Sequence, residues 1–366
     1  MKLSVIILNY NVLYFLELCV KSVQAAISNI DAEIIVIDNN SKDKSCKMVK
    51  QLFPEVILIE NKENVGFSKA NNQGVEIAKG KYICILNPDT VVAEDTFEKL
   101  LEFTNSQEKL GIVGCKLIDG TGQFLPESKR NIPIVKIAFQ KIFGDSKKYY
   151  ANHLSQDTTG KVDVLVGAFM LIKRSVYRQV NGFDEDYYMY GEDIDLSYRV
   201  LKAGYKNYYF ANTTIIHYKG ESTLKNKNYA KDFYNAMQIF YKKHFKSNLL
   251  FDTLVSLGIK IAYFFRYEKN VEPNKANKYV LVSKTINDKL KQVLPKEVVL
   301  KKDVKNIEKD DEIIFDTNVI SFKETIKQFS NSELNKLVTF KILPKNSNFI
   351  IGSNSSSSQG EVICFE

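Results

Sequence analysis

Four apolar runs in the first ninety residues decide the fold: Leu3-Ser4-Val5-Ile6-Ile7-Leu8, Glu33-Ile34-Ile35-Val36-Ile37-Asp38, Val56-Ile57-Leu58-Ile59-Glu60 and Lys81-Tyr82-Ile83-Cys84-Ile85-Leu86. Each is short, rich in aliphatic residues and bounded by turn-forming residues, the pattern of a strand buried on both faces. Segments of helical spacing separate them. Val12, Leu16, Val20, Val23 and Ile27 recur at three- and four-residue steps. Residues 43–52 read as a second helix with Asp43 as N-cap, and 68–79 as a third with Gly80 as its C-terminal stop. This β-α-β-α-β-α-β rhythm predicts an α/β fold: a mostly parallel sheet with helices on both faces. Such sheets bind ligands outside the carboxyl ends of their strands. That rule selects Asn9-Tyr10, Asp38-Asn39-Asn40, residues 61–66 and Asn87-Pro88-Asp89.

Downstream the pattern changes. A strand is expected at 111–118, then a turn at 119–122 and a polar, mobile excursion over 123–160. Another strand is expected at 162–172, a helix at 192–203, short strands at 208–210 and 214–218, and a helix at 228–245. Residues 249–265 are the most apolar long stretch, yet short for a bilayer span. They read equally as a packed edge helix or as an interfacial membrane helix flanked by Arg266, Lys269 and the lysines of 242–246. Residues 268–278 read as a linker, and 353–358 as a serine-rich loop. Short strands at 279–283, 298–300, 312–315 and 337–342, around helices at 287–293 and 322–329, predict a small C-terminal α/β appendage. The expected division is 1–245, 246–278 and 279–366.

A length of 366 residues suits about two domains. With 45% hydrophobic and 26% charged residues, wholesale disorder and a polytopic membrane protein are excluded. Five scattered cysteines form neither a disulfide framework nor a zinc ribbon. Together with the lack of a secretory signal, they point to the cytoplasm. The net charge of +8 favours an anionic partner without choosing one. No basic stripe with interleaved aromatics supports nucleic-acid binding. Neither a GxGxxG nor a Walker loop occurs, which disfavours a dinucleotide oxidoreductase or a P-loop NTPase.

The oxygen-bearing side chains at strand ends carry the chemistry. Asp38 can accept from a ribose or base donor, or simply cap a turn. Asp89, in a proline-stiffened turn, suits a hard divalent cation bridging a diphosphate, or an Asx-Pro turn. Residues 64–74 join a strand end to a helix, where Gly66 permits an unusual backbone angle and the helix start presents N–H groups to an anion. Glu192 and Asp193 open a helix whose dipole favours their ionised forms. Asp193 is placed to take a proton from an attacking hydroxyl, while Asp195 and Arg199, four apart, form a structural pair. His217 ends a strand and is a candidate metal ligand or phosphate donor, or a structural histidine, the commoner role for a lone His at a strand end. No partner is evident for His153 or His244.

These pieces, in this order, resemble the family 2 nucleotide-sugar glycosyltransferases of the GT-A fold, in particular the bacterial rhamnosyltransferase-like branch. The resemblance is carried by residues 4–11, 36–41, 63–68, 86–90 (Leu86-Asn87-Pro88-Asp89-Thr90), 167–172, 182–185 and 190–195 (Tyr190-Gly191-Glu192-Asp193-Ile194-Asp195). It covers residues 1–245. It implies a Rossmann-like mixed sheet and an inverting transfer of sugar from a nucleoside-diphosphate sugar, dTDP-rhamnose-like or a UDP-sugar, to a hydroxyl of a growing glycan. It also implies roles. Asn9, Tyr10, Asp38, Asn40, Gly66, Phe67, Asn71, Asn87, Gly167 and Ala168 would surround the nucleotide sugar. Asp89 and His217 would hold a divalent cation, Mg or Mn. Asp193 would be the catalytic base, with Glu192 beside it. The family's acidic motif often reads Asp-x-Asp, and here Asn87 replaces the first carboxylate. The acceptor implied is a glycan or lipid-linked glycan at the inner face of the cytoplasmic membrane, met by a peripheral enzyme. The rival readings are a metal-dependent phosphodiesterase or nucleotidyltransferase, which gains nothing from Asp193, and a non-catalytic nucleotide-sugar-binding module.

Overall fold

The structure, a computed structural model, describes residues 1–134, 137, 147–220, 227–245, 276–355 and 359–365. The chain opens with β1 (Leu3–Asn9), α1 (Leu13–Ile27), β2 (Ala32–Asp38), α2 (Ser45–Leu52), β3 (Ile57–Glu60), α3 (Phe67–Ile77) and β4 (Tyr82–Leu86). It continues through β5 (Thr90–Val91), α4 (Thr96–Asn105), β6 (Leu110–Ile118), a 3-10 turn (Pro126–Ser128), β7 (Gly160–Lys161) and β8 (Phe169–Lys173). Next come α5 (Arg174–Gln179), α6 (Glu192–Lys202), β9 (Lys206–His217) and α7 (Lys227–His244). The C-terminal part contains β10 (Tyr279–Val282), α8 (Asp288–Val293), β11 (Val298–Lys301), β12 (Glu312–Asp316), α9 (Phe322–Phe329), β13 (Thr339–Leu343), β14 (Phe349–Gly352) and β15 (Glu361–Cys364).

Among the described residues β1–β9 form one sheet in the order β3-β2-β1-β4-β8-β6-β9-β5, with β7 on β9. β3, β2, β1, β4, β6 and β9 run one way, and β8, β5 and β7 run against them. The mostly parallel α/β sheet expected from the apolar runs is the one observed. Successive side chains of a strand point to opposite faces, and both faces are covered. Leu3, Val5 and Ile7 share a core with Leu16, Val20, Met48, Phe97 and Leu100 of α1, α2 and α4. Ile6, Ile35 and Ile37 share another with Ala70, Val75, Val176 and Leu196 of α3, α5 and α6.

Several local expectations shift. Helix α3 ends at Ile77, so Gly80 is not its stop. A Cβ at Gly80 would lie 2.5 Å from the Ser4 nitrogen, and the Gly80 N–H donates to Ser4 Oγ (2.8 Å), so close approach to β1 demands glycine. Helix α2 starts at Ser45. Asp43 instead accepts from the Ser45 N–H (2.9 Å) and the Leu13 N–H (3.0 Å), tying its loop to α1. The expected strand 162–172 is interrupted. Val164 pairs with Arg130 rather than with the ladder, and regular pairing resumes at Phe169. The two short strands at 208–218 are one strand, β9, whose pairing with β6 jumps from Phe210 to Thr214 at an irregularity.

The C-terminal sheet has the order β11-β10-β12-β13-β14-β15, its first four strands parallel and the last two antiparallel. It is more than an appendage. Val12 just before α1, Phe15 and Leu18 of α1, Val91 of β5, and Ile216 and Tyr218 share one core with Phe315, Phe329 and Phe340. The Glu94 carboxylate accepts from the Phe322 and Lys323 N–H groups (2.7 and 2.8 Å), capping α9 from the other sheet. Helix α1 is thus buried on two faces, one toward each sheet. The apolar stretch 249–265 and most of the expected linker lie outside the described residues. Among the described residues no helix is long and apolar enough to cross a membrane.

Candidate active site

Two cavities open at the carboxyl ends of the first sheet, and Phe67, Asn87 and Met189 line both. The smaller, about 240 Å³, has Tyr10, Asn39, Asn64, Gly66, Pro88 and Tyr188 in its wall. Parallel register sets Asn9 beside Asp38. Asn9 Nδ2 donates to Asp38 Oδ1 (2.8 Å) and to Ser41 Oγ (3.1 Å), and the Ser41 N–H donates to Asp38 Oδ2 (2.9 Å). Asp38 is therefore buried and holds the turn behind the cavity wall. Asn40, with φ +66°, accepts from Lys42 Nζ, and Asn71 is buried with its Nδ2 on the Phe67 carbonyl (3.0 Å). Asn9, Asp38, Asn40, Asn71 and Asp89 line neither cavity.

Asn39 does line the smaller cavity. Its Oδ1 accepts from the Val65 N–H (3.1 Å), and its Nδ2 donates to Asn64 Oδ1 (2.7 Å) and the Gly66 carbonyl (3.3 Å). The loop before α3 is thereby fixed from the end of β2. Gly66 has φ +84°, and a Cβ there would lie 2.7 Å from both the ring and the carbonyl oxygen of Tyr188. Only glycine lets the two cavity walls meet.

The larger cavity, about 410 Å³, is lined by Asn87, Gly167, Ala168, Glu192, Asp193 and His217, together with Glu127, Arg130 and Lys219. Asp193 Oδ2 accepts from Arg130 Nη2 (2.6 Å) and the Gly167 N–H (3.1 Å), and Oδ1 from the Ile194 N–H (2.8 Å). Glu192 lies beside it, 7% exposed, with Oε2 lacking a hydrogen bond. Burial first, and the Asp193 charge second, push the Glu192 carboxyl up to about 8. Arg130 also donates to the Leu165 carbonyl (2.8 Å), while its buried Nε finds no partner. Burial disfavours the Arg130 charge, but Asp193 outweighs it and holds the guanidinium above its ordinary pKa.

Arg130 falls in the stretch expected to be a mobile excursion. Within it, Glu127, Arg130, Tyr149 and Tyr150 line the cavity, and Ser128, Lys129 and Arg130 are all buried. The available clue was chemical: arginine is scarce in this lysine-rich sequence, and its fork suits a buried carboxylate better than lysine does. Asp195 pairs with Arg199 (2.6 Å) as expected, and His244, which had no evident partner, reaches the same carboxylate (2.6 Å). His153 Nε2 lies 3.1 Å from the Lys161 carbonyl oxygen.

Asp89 and His217 meet at the junction of β5 and β9. His217 Nε2 is 3.4 Å from Asp89 Oδ1 and 3.5 Å from Asn87 Nδ2. Asp89 Oδ1 and His217 Nδ1 are buried without hydrogen bonds. A carboxylate oxygen, an imidazole and an amide in one corner suit a cation that completes its shell with phosphate and water. Among the described residues no group of three or more His, Cys, Asp and Glu side chains forms a fuller cage.

The model of the family described as "Glycosyl transferase family 2" matches residues 4–180, and one described as "N-terminal domain of galactosyltransferase" matches 153–221. An N-acetylglucosaminyl-diphospho-decaprenol L-rhamnosyltransferase of Mycobacterium tuberculosis is 26% identical over 207 residues, 52% of this chain and 67% of that protein. The rhamnosyltransferase WbbL of Escherichia coli is 29% identical over 205 residues, 52% of this chain and 76% of that protein. The minor teichoic acid biosynthesis protein GgaB of Bacillus subtilis is 27% identical over 273 residues, 72% of this chain and 28% of that protein. The stretch that carries Asn9, Asp38 and Asp89, residues 4–180, thus matches glycosyl transferase family 2, and the relatives of this part of the chain include rhamnosyltransferases.

Proposed function

We propose that this enzyme transfers a sugar, with inversion, from a nucleoside-diphosphate sugar of the dTDP-rhamnose or UDP-sugar kind to a hydroxyl of a growing surface glycan. The observation that carries this reading is the pair of cavities that share Phe67, Asn87 and Met189 as wall, one polar and aromatic, the other holding Asp193 and Glu192. The smaller takes the nucleoside, with Tyr10 and Tyr188 as aromatic walls. The junction at Asn87 takes the diphosphate, and the larger cavity takes the sugar and the acceptor.

Asp89 and His217, with Asn87, would hold a divalent cation, Mg or Mn. Such an ion neutralises charge on the departing diphosphate. Asp193 accepts the proton of the acceptor hydroxyl as that oxygen attacks the face opposite the leaving group. Arg130, the Gly167 N–H and the Ile194 N–H fix the Asp193 carboxylate in place, which is the orientational contribution to rate. The buried, largely protonated Glu192 offers a hydrogen bond to a sugar oxygen. A diphosphodecaprenol-linked acceptor, as in the name of the mycobacterial relative, suits the reading that the chain works at the inner membrane face.

The test is a thermal-shift panel of nucleoside diphosphates and nucleotide sugars, with and without Mn²⁺ or Mg²⁺, on the full chain and on Asp89→Ala. A bound ligand stabilises with the logarithm of its saturation. One nucleotide series should raise the unfolding temperature, more so with cation, and Asp89→Ala should abolish the cation increment. No shift with any nucleotide would end the transferase reading. Binding with no transfer to any acceptor would favour a binding module.

A further inference from the structure

Among the described residues, the larger cavity contains one cation to which this reading gives no task. Lys219 lines it beside His217, Asn87 and Arg130. The chain reaches that point from the candidate cation corner, since the Tyr218 N–H donates to the Asp89 carbonyl (3.0 Å). Lys219 itself takes φ +65°, and Gly220 follows at φ +89°. A non-glycine residue in the left-handed region costs about 1–3 kcal/mol, and such residues cluster where function requires them. Here the bend keeps the lysine over the cavity rather than letting β9 run on.

Nζ of Lys219 is ion-paired with Glu127, which also lines the cavity and belongs to the 3-10 turn. Burial alone would raise the Glu127 carboxyl. The Lys219 charge reverses that and holds it below its ordinary value. The pair sits inside the cavity, 30% and 17% exposed. The opposite side of the charge balance is short. With Asn87 neutral, Asp89 is the carboxylate of the cation corner, so a divalent ion there carries one net positive charge toward a diphosphate bearing several negative ones. A lysine ammonium is a mobile point charge suited to such oxygens.

We propose, resting on the transferase reading, that Lys219 is a ligand of the donor's diphosphate and a catalytic residue for its departure, with Glu127 holding it in place until the donor arrives. In the transfer the anomeric C–O bond breaks and its electron pair stays on the phosphate oxygen. The acceptor oxygen forms the new bond, its proton passing to Asp193. Lys219 keeps its proton and donates a hydrogen bond to the diphosphate oxygens as their charge grows.

The experiment is calorimetric titration of the full chain with UDP, dTDP and GDP and with the matching nucleoside monophosphates, each in EDTA and in Mn²⁺. Lys219→Met should weaken binding of the preferred diphosphate by roughly tenfold in both conditions and leave the monophosphate within about twofold. Lys219→Arg should stay within about threefold of the wild type. Glu127→Gln should bind the diphosphate as tightly as the wild type or more tightly, because a competing anion is gone. Unchanged diphosphate affinity in Lys219→Met would overturn the proposal. So would equal losses in Lys219→Met and Glu127→Gln, which would mark the pair as a structural strut. If the wild type binds no nucleoside diphosphate at all, the transferase reading falls and this proposal with it, a result separable from one in which only the variants misbehave.

Discussion

The two sheets of this chain follow similar rules of construction and end differently at their rims. In the first, the strand ends carry buried polar atoms without hydrogen bonds: Asn9 Oδ1, Asp89 Oδ1 and His217 Nδ1, with Arg130 Nε and Glu192 Oε2 above them. In the second, the corresponding end of β10 and β12 closes on itself. Ser283 Oγ donates to Asp316 Oδ2 (2.6 Å), and Asp316 Oδ1 accepts from the backbone and side-chain N–H groups of Asn318 (2.9 and 2.8 Å). Buried polar groups are normally satisfied, and a cluster that is not implies a missing partner. The first rim is built for a ligand, the second for stability.

The contrast breaks most sharply at Asp193. Asp193→Asn should keep nucleoside-diphosphate binding and lose transfer by a factor on the order of 10²–10⁴, read as initial rate of nucleoside-diphosphate release. Near-wild-type turnover would remove Asp193 from the mechanism. The reciprocal change lies in the other sheet. Ser283→Ala deprives a buried carboxylate of a donor and should cost about 1.5–3 kcal/mol of stability, measured by denaturant unfolding, with nucleotide affinity unchanged. A change in nucleotide affinity would show that the second rim also touches the ligand.

The mildest effect sharpens the first rim. The Glu192 carboxyl is raised from 4.5 to about 8 by burial and by Asp193. The folded state then binds more protons than the unfolded state between those values, and stability falls as pH rises through that window. Below the ordinary glutamate value the two states are equally protonated and nothing is lost; above about 8 the whole penalty is present. Glu192→Gln should raise the unfolding temperature more at pH 8.5 than at pH 5, by a few degrees. An equal shift at both pH values would place Glu192 in a more hydrated setting.

The strand-end rule found much of the site because it depends only on local order. A buried strand delivers its last residues to the rim wherever it lies in the sheet, so Tyr10, Asn87, Asp89 and His217 could be chosen in advance, whereas Asn9 turns its amide onto Asp38 and Ser41. It also overreached. Asp38 and Asn40 sit at a strand end yet hold the turn behind the cavity, because Asn9 and Ser41 take up both Asp38 oxygens. Asn71 follows the loop at helical spacing and turns its amide back on its own helix. Arg130 was missed for the opposite reason. It lies in no periodic segment, and its partner is 63 residues away.

The sequence by itself determined the alternation of strands and helices, the strand ends and the family motifs, because these are written in neighbouring residues a few steps apart. Tertiary structure alone decided that α1 lies between two sheets, that Arg130 and the Gly167 N–H grip Asp193, and that Lys219 pairs with Glu127 in the cavity. Those contacts join segments far apart in the chain, and whether they form depends on the packing that closes the loops between them.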